Sequence, residues 1–236
     1  MAFDPSIRPV VCGGVPGPAA AGPEVRVKPR LRGVLHQYAF FVSLGSGVLL
    51  VLLAATTRAS VAAAVYAVSV SALFGVSALY HRVTWTGSAR RRMRRLDHAM
   101  IFLLIAGTYT PVGLLVLKGT LASVVLAVVW SGALAGIVLE LAWAGAPRWL
   151  GGVVYLALGW VAVVAMPQLF ARLGVAGGLL IVAGGLVYSA GAAVYARRRP
   201  DPVPAVFGYH EVFHLLVIVG VAAHFLAISL FAVPLG

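Results

Sequence analysis

Seven long apolar runs, separated by short polar breaks, follow one another along the chain after residue 33. They cover residues 34–55, 60–81, 97–117, 120–142, 149–166, 173–195 and 207–233. Each run is close to the roughly 20 apolar residues that a helix needs to cross the hydrocarbon core of a bilayer. A membrane β-barrel is excluded, because its strands alternate polar and apolar residues in segments of about ten. The pattern predicts an all-α fold, a polytopic bundle of seven transmembrane helices with connecting segments that include 82–96 and 167–172.

The composition agrees with a membrane protein. Of the 236 residues, 61% are hydrophobic and only 10% are charged, and the mean hydropathy is +1.00. A soluble domain has about a quarter charged residues. The first 33 residues contain no apolar run and are rich in proline and glycine. We therefore expect two parts, a flexible cytoplasmic arm (1–33) and a seven-helix transmembrane domain (34–236), in a multi-pass protein of the cell membrane.

The charge of the chain predicts its orientation in the membrane. Eighteen Lys and Arg residues against six Asp and Glu give a formal net charge of +12. Fifteen of the eighteen basic residues lie in the arm and in alternate breaks, and only Arg58, Lys118 and Arg172 lie in the others. The positive-inside rule therefore places the N-terminus in the cytoplasm and the C-terminus outside. The basic run from Arg90 to Arg95 is expected to contact anionic lipid headgroups rather than nucleic acid.

This orientation brings several polar residues to one depth. Span two ends on the inside at His81, span three begins there at Asp97, and span seven begins there with His210 and His214. An ionisable side chain near the centre of a bilayer costs about 2.5 to 3.5 kcal/mol or more, so such residues are functional candidates. Three helices therefore present potential metal ligands at the cytoplasmic side.

The spacing of these residues favours zinc. His210 and His214 are four residues apart, on the same face of a helix, and can bind one metal ion. Ser77 precedes His81 by the same interval, so its hydroxyl lies one turn deeper on a shared face. Three imidazoles around a metal with one open position are the arrangement of a catalytic zinc site. Asp97 is expected either to bind the metal or to hydrogen-bond its water.

Other polar residues have simpler interpretations. A single histidine near a span end is usually an interfacial residue that water or a carbonyl satisfies, and we interpret His36 and His224 in this way. Glu140 is expected to be interfacial or hydrogen-bonded. The role of His98 stays open. Residues 210–214 also match H-E-x-x-H, in which Glu211 is the general base of a zinc protease. No Asp or Glu follows His214 as a third ligand, which disfavours that interpretation.

Three motifs give the chain a resemblance to a known family. They are Ser-Ala-Leu-Tyr-His at 77–81, Leu-Asp-His-Ala-Met-Ile-Phe at 96–102 followed by Gly-Thr-Tyr-Thr-Pro at 107–111, and Gly-Tyr-His-Glu-Val-Phe-His at 208–214. Together they resemble the hemolysin III family, the bacterial branch of the progestin and adipoQ receptor proteins, which include the adiponectin receptors. The resemblance covers about residues 34 to 233.

The resemblance implies a seven-helix bundle with a zinc ion near the cytoplasmic face. It implies that His81, His210 and His214 are the direct ligands, that Asp97 reaches the metal through water, and that Ser77 lies beside it. Family members include lipid amide hydrolases of the ceramidase type. The receptor branch carries a longer cytoplasmic arm, unlike the short arm of this chain.

Three functions follow from these observations. The leading hypothesis is a zinc-dependent membrane hydrolase of a lipid amide or ester, in which Asp97 accepts a proton and Ser77 donates to the developing oxyanion. The second is a non-enzymatic sensor or regulator of membrane state that is stabilised by zinc. The third, suggested by the family name, is a cytolytic protein, although no polar stripe that would line a pore is visible in the spans. The sequence indicates neither the lipid nor the oligomeric state.

Overall fold

The computed structural model describes residues 28–143 and 148–236, and all of its regular elements in these ranges are helices. Seven α-helices follow in order: α1 (Val34–Leu52), α2 (Thr57–Arg82), α3 (Gly87–Pro111), α4 (Gly119–Ala142), α5 (Arg148–Gly159), α6 (Met166–Arg197) and α7 (Tyr209–Ala227). A π-helical turn, Val112–Val116, extends α3, and a 3-10 segment, Trp160–Ala165, joins α5 to α6. A second π-helical turn, Ile228–Ala232, and a last 3-10 turn, Val233–Leu235, complete α7. The first 27 residues of the predicted arm lie outside the described residues.

Six helical stretches in the described ranges are long and apolar enough to cross a membrane. The longest, Leu150–Arg197, has 48 residues. A straight helix of that length would measure about 72 Å, more than twice the thickness of the hydrocarbon core. The large apolar side chains that remain exposed on the outer helices, such as Phe41, Leu52 and Val138, are suited to contact with lipid tails.

The longest stretch folds back on itself at Gly174. This glycine has φ 68° and ψ 178°, outside the helical region. The indole Nε1 of Trp160, fourteen residues before it, donates to the Oγ of Ser189, fifteen residues after it, at 3.1 Å. Such a contact requires the two arms of the stretch to run antiparallel, one from α5 to Gly174 and one from Gly174 to Arg197.

Two predicted connecting segments differ from the structure. Residues 167–172 are helical, because Pro167 stands in the first turn of α6, where a missing N–H breaks no helical hydrogen bond. The chain reverses slightly later, at Gly174. Most of 82–96 is also helical, since α3 begins at Gly87. The arginines of that segment are good helix formers.

The helix α3 is central in the bundle. It has the most buried apolar window of the six stretches, at 72%. Close approach depends on small residues: a Cβ at Gly107 would lie 2.0 Å from the Ser69 hydroxyl of α2, and one at Gly136 of α4 would lie 2.3 Å from the Phe102 ring. Small residues at helix contacts let backbones approach closely within a membrane. The middle of α3 is thereby held close to α2 and α4.

Candidate functional site

Three histidines lie together at one end of the bundle. His81 stands in the last turn of α2, and His210 and His214 stand in the first two turns of α7. One potential ligand nitrogen from each residue lies within 4.8 Å of the others, and the Nε2 atoms of His81 and His210 are 3.2 Å apart. His81 and His214 are buried. The four-residue spacing that pairs His210 with His214 thus meets a third imidazole from another helix.

The donor set suits zinc. Zinc bonds to imidazole nitrogen at about 2.0 to 2.1 Å in a tetrahedral arrangement, so two ligand nitrogens lie about 3.3 Å apart. The 3.2 Å between His81 and His210 is close to that spacing, and three imidazoles leave a fourth position for a small ligand. The same distance also suits an N–H···N hydrogen bond between two neutral rings. The geometry therefore accommodates a metal without by itself requiring one.

Asp97 and Ser77 lie beside the histidines. The Oδ2 of Asp97, in α3, is 3.8 Å from the Nε2 of His81. Ser77, in α2, is buried and is a polar neighbour of the Asp97 carboxylate. The structure therefore brings all five predicted site residues to one place, with a potential proton acceptor and a hydroxyl donor next to the imidazoles.

Glu211 is occupied by contacts other than the histidines. It is 1% exposed, its Oε1 is paired with the guanidinium of Arg32, and its Oε2 accepts from the backbone N–H of Gly208 at 2.9 Å. The second contact is half of a capping box that stabilises the first turn of α7. Glu211 therefore acts as a helix cap and an ion-pair partner, and the match to the zinc protease motif has a structural explanation.

His36 also lies against the histidine cluster. The sequence pattern does not predict this contact. It is 3% exposed, and its ring is stacked on that of His214 with centroids 3.9 Å apart and planes inclined by 7°. The predicted orientation contains the signal for this, because α1 begins on the same side of the membrane as α7. His36 therefore lies at the end of its span, as expected, but it is buried against α7 rather than exposed to water.

The remaining candidates lie outside the cluster. His98 Nδ1 is 3.8 Å from Glu140 Oε2, and the Tyr155 hydroxyl donates to Glu140 Oε1 at 3.3 Å. His224 lies nearly three turns beyond His214 along α7, where its Nε2 contacts the carbonyl of Ile181 at 3.1 Å. It is buried within the bundle rather than at an interface.

Residues 28–33, the last part of the predicted arm, pack against the site end of the bundle. The backbone N–H groups of Arg30 and Leu31 donate to carbonyls in the connection between α6 and α7, and the ammonium group of Lys28 donates to the carbonyl of His81. Gly33 has φ 80°, and a Cβ there would lie 2.6 Å from the Cβ of His81. A glycine is needed at this point for the chain to pass so close to the candidate ligand.

The basic residues around this segment repel one another. Partial burial, together with the charges of Arg32, Arg82 and Arg90, lowers the pKa of the Lys28 ammonium group from its ordinary value. A cavity of about 540 Å³ nearby is lined by Tyr80, Gly87, Arg90, Arg91 and Arg94. Within the described parts of the chain, the three cavity arginines form no ion pair with a carboxylate. This surface therefore carries an excess of positive charge, and of its three arginines Arg94 interacts at longer range with the Glu140 carboxylate.

Comparison with known proteins supports the resemblance seen in the motifs. Residues 25–225 match the family model described as "Haemolysin-III related". The chain is 34% identical over 204 residues to a "Hemolysin-3 homolog" of Bacillus subtilis (strain 168), which covers 85% of this chain and 92% of the relative. It is 31% identical over 180 residues to "Hemolysin-3" of Bacillus cereus, covering 76% and 78% respectively. With its apolar spanning helices, the chain belongs to the haemolysin-III-related family and is a multi-pass protein of the cell membrane.

Proposed function

We propose that the protein is a zinc-dependent hydrolase that cleaves an amide or ester bond of a membrane lipid. The observation that carries this proposal is the convergence of His81, His210 and His214 within 4.8 Å, with the Asp97 carboxylate 3.8 Å from His81. Three metal ligands alone would only stabilise the fold. Hydrolysis also requires a proton acceptor, and the Asp97 carboxylate is available for this because the three histidines already form the ligand set.

The residues divide the chemistry between them. Zinc, when bound, is a Lewis acid that polarises a carbonyl oxygen and makes water a nucleophile at neutral pH. Asp97 accepts the proton of the attacking water and returns it to the leaving amine or alcohol. Ser77 donates a hydrogen bond to the negative charge that develops on the carbonyl oxygen. His81, His210 and His214 hold the metal.

The proposal includes seven spans, with the N-terminus in the cytoplasm and the C-terminus outside. The reversal at Gly174 supports this count, because each arm on either side of it is long enough to cross the membrane. The histidines then lie at the cytoplasmic side, as do Arg90 and Arg197. A lipid substrate reaches them from the inner leaflet.

The basic cavity suits the headgroup of an anionic lipid. Its three arginines, Arg90, Arg91 and Arg94, lie in the first two turns of α3, which the proposed orientation places at the depth of headgroup phosphates. Arginine binds phosphate oxygens through several N–H groups at once. We propose that the run from Arg90 to Arg95 contacts anionic lipids, either next to the substrate or as part of it.

Metal content and turnover together test the proposal. The purified protein is expected to carry about one zinc per chain, and His210→Ala or His214→Ala should remove it, whereas His98→Ala, outside the cluster, should retain it. Release of fatty acid from ceramide-like and phospholipid substrates, in detergent and in liposomes, should depend on that zinc. Full zinc occupancy in the His81→Ala, His210→Ala double variant would contradict the three-histidine site. A zinc-loaded protein without turnover on any of these lipids would contradict the hydrolase.

A second function, zinc-stabilised regulation without catalysis, is favoured by the burial of the cluster. His81 and His214 are buried, and residues 28–33 pack against the same end of the bundle. A metal held there would join α2 to α7 and would stabilise one arrangement of the helices. Zinc binding without turnover supports this function.

The names of the relatives raise membrane lysis as a third function. The protein from Bacillus cereus is called a hemolysin. Conductance across a planar bilayer that contains the purified protein tests for a pore.

A further inference from the structure

The imidazole of His36 lies flat against that of His214. The ring centroids are 3.9 Å apart and the planes differ by 7°. The His36 ring also contacts the ring of Phe74 in α2, and the two centroids are 5.0 Å apart. His214 in turn lies near the rings of His81 and His210, at 5.0 and 4.5 Å. His36 is thus separated from the two other imidazoles by His214.

The position of His36 in α1 is unusual for that helix. Most of α1 is exposed apolar surface, and only 22% of its apolar window is buried. Its buried residues form one stripe, His36, Ser43, Gly47 and Leu50, which faces the rest of the bundle. His36 is the member of this stripe at the site end. Through it, the otherwise peripheral α1 reaches a candidate ligand on α7.

His36 presents the face of its ring to His214, whereas its contact with Phe74 is tilted, with the planes inclined by 58°. Neither of its ring nitrogens has a hydrogen-bond partner of good geometry among the described residues, although the ring also has a polar contact with the backbone of His214. A stacked pair of aromatic rings is worth about 0.5 to 1.5 kcal/mol beyond its buried area. A cation on His214 would withdraw electron density from that ring, and a neutral ring lying over it is attracted to the resulting positive charge. The stack therefore favours the metal-bound state over the metal-free state.

We propose that His36 is a positioning residue of the metal centre, which holds the ring of His214 in the orientation that turns its nitrogen toward His81 and His210. This inference rests on the metal site of the proposed function and not on the hydrolysis. His36 touches the ligand and not the metal, so its effect is on metal affinity.

Two substitutions distinguish the effect of a flat aromatic ring from the effect of side-chain volume. His36→Phe keeps an aromatic face, and His36→Leu keeps an apolar side chain without one. His36→Met is a second variant without a ring, should the leucine variant not be obtained. Ser43→Ala is the matched control, because Ser43 belongs to the same buried stripe, two turns away, and its hydroxyl contacts Ser71 and not a histidine.

Metal affinity is measured on the full-length protein in detergent. Each metal-free variant is titrated with Zn²⁺ against a competing chelator, and with Co²⁺ while the visible absorption of the bound ion is recorded. We expect His36→Phe and Ser43→Ala to bind within about twofold of the parent. The leucine and methionine variants should bind about 3- to 10-fold more weakly, a loss that stays within the energy of one aromatic stack.

A second readout excludes a general loss of stability. The rise in Tm on addition of Zn²⁺ should be smaller in the leucine variant than in the phenylalanine variant, whatever the Tm of the metal-free forms. Parent-like zinc affinity in His36→Leu would overturn the proposal, because the ring would then only fill space. Equal weakening in the phenylalanine and leucine variants would also overturn it, because the nitrogens would then be what matters. A parent protein that binds no zinc overturns the metal site together with this inference, whereas zinc binding without lipid turnover overturns only the hydrolase.

Discussion

The guanidinium of Arg32 is paired with the carboxylate of Glu211, at the start of α7 and directly beside a candidate metal ligand, His210. Glu211 is 1% exposed, while Arg32 is 20% exposed. The pair joins residues 28–33, which precede the first span, to the last span of the bundle. It therefore ties together two parts of the chain that are 179 residues apart.

Removal of Arg32 is predicted to destabilise the protein. Arg32→Ala leaves the Glu211 carboxylate buried without its partner, and breaking a buried pair in this way costs about 3 to 5 kcal/mol. The lower end of that range is expected, because Arg32 is partly exposed. Thermal unfolding in detergent measures the effect, and Arg197→Ala, which removes an exposed arginine, should leave the Tm unchanged. An unchanged Tm in Arg32→Ala would show that water already satisfies Glu211.

Glu211→Gln is predicted to keep zinc and turnover. The amide retains an oxygen for the backbone N–H of Gly208, whereas its NH2 group replaces the oxygen opposite Arg32, so the ion pair is lost and the helix cap is kept. The zinc protease interpretation predicts the opposite, since Glu211 would then be the general base. Zinc content and lipid hydrolysis of this variant, measured at a temperature at which it stays folded, decide between the two. A loss of turnover with zinc retained would restore Glu211 as a catalytic residue.

A substitution of Gly174 is predicted to weaken the reversal between the two antiparallel arms. The backbone there, φ 68° and ψ 178°, lies in a region that is essentially restricted to glycine. Nothing lies within 4 Å of a Cβ built at Gly174, so Gly174→Ala would cost the strain alone, about 1 to 3 kcal/mol. Gly185→Ala is the control, because it lies within α6 and a Cβ there also meets nothing within 4 Å. It should be neutral or slightly stabilising.

The sequence predicts the helices well where a break is unambiguous. The span 120–142 matches α4 (Gly119–Ala142), because Lys118 and Gly119 interrupt a strongly apolar stretch. The reversal before the final arm of α6 is not marked in the sequence. Pro167 and Arg172 look like a break by hydropathy, whereas Gly174 is one of 27 glycines and nothing in its neighbours marks its conformation.

Part of the candidate site can also be predicted from the sequence. The pairs Ser77 with His81 and His210 with His214 follow from helical spacing alone. The charge asymmetry assigns each helix end to one side of the membrane, and it places both pairs on the same side. The contact of His36 depends on how α1 is rotated about its axis. A helix that is apolar on nearly every side carries little information about that rotation, so only the structure reveals the stack.

The orientation of the chain is predicted to be N-terminus inside and C-terminus outside. Reporter fusions after residues 88 and 199 should give cytoplasmic signals, and one after residue 236 should give an external signal. The fusion after 236 decides the number of spans, because a six-span protein with its N-terminus inside would place its C-terminus inside as well. An external signal at 88 would place the histidine cluster on the opposite side of the membrane and would contradict the proposed access from the inner leaflet.

Asp97→Asn is predicted to reduce hydrolysis by roughly 100- to 10,000-fold, the usual contribution of a general acid and base, while zinc stays bound. The amide keeps the shape of the carboxylate but cannot accept a proton from the attacking water. Ser77→Ala should cost less, because its hydroxyl is one hydrogen-bond donor among several polar groups around the carbonyl oxygen. Rate and zinc content are to be measured on the same preparations, with fatty acid release from ceramide-like lipids in liposomes.

The same variant distinguishes catalysis from a purely structural role of Asp97. Its carboxylate lies 3.8 Å from the Nε2 of His81, so it also has the position of a group that orients a ligand. Loss of such a partner typically weakens metal binding by 10- to 100-fold, and excess zinc would then restore any activity of Asp97→Asn. A catalytic Asp97 predicts that excess zinc restores nothing, since the metal is already bound and the missing element is the proton acceptor. Rescue by zinc would therefore assign Asp97 to the support of His81 and would leave the hydrolase without its proposed base.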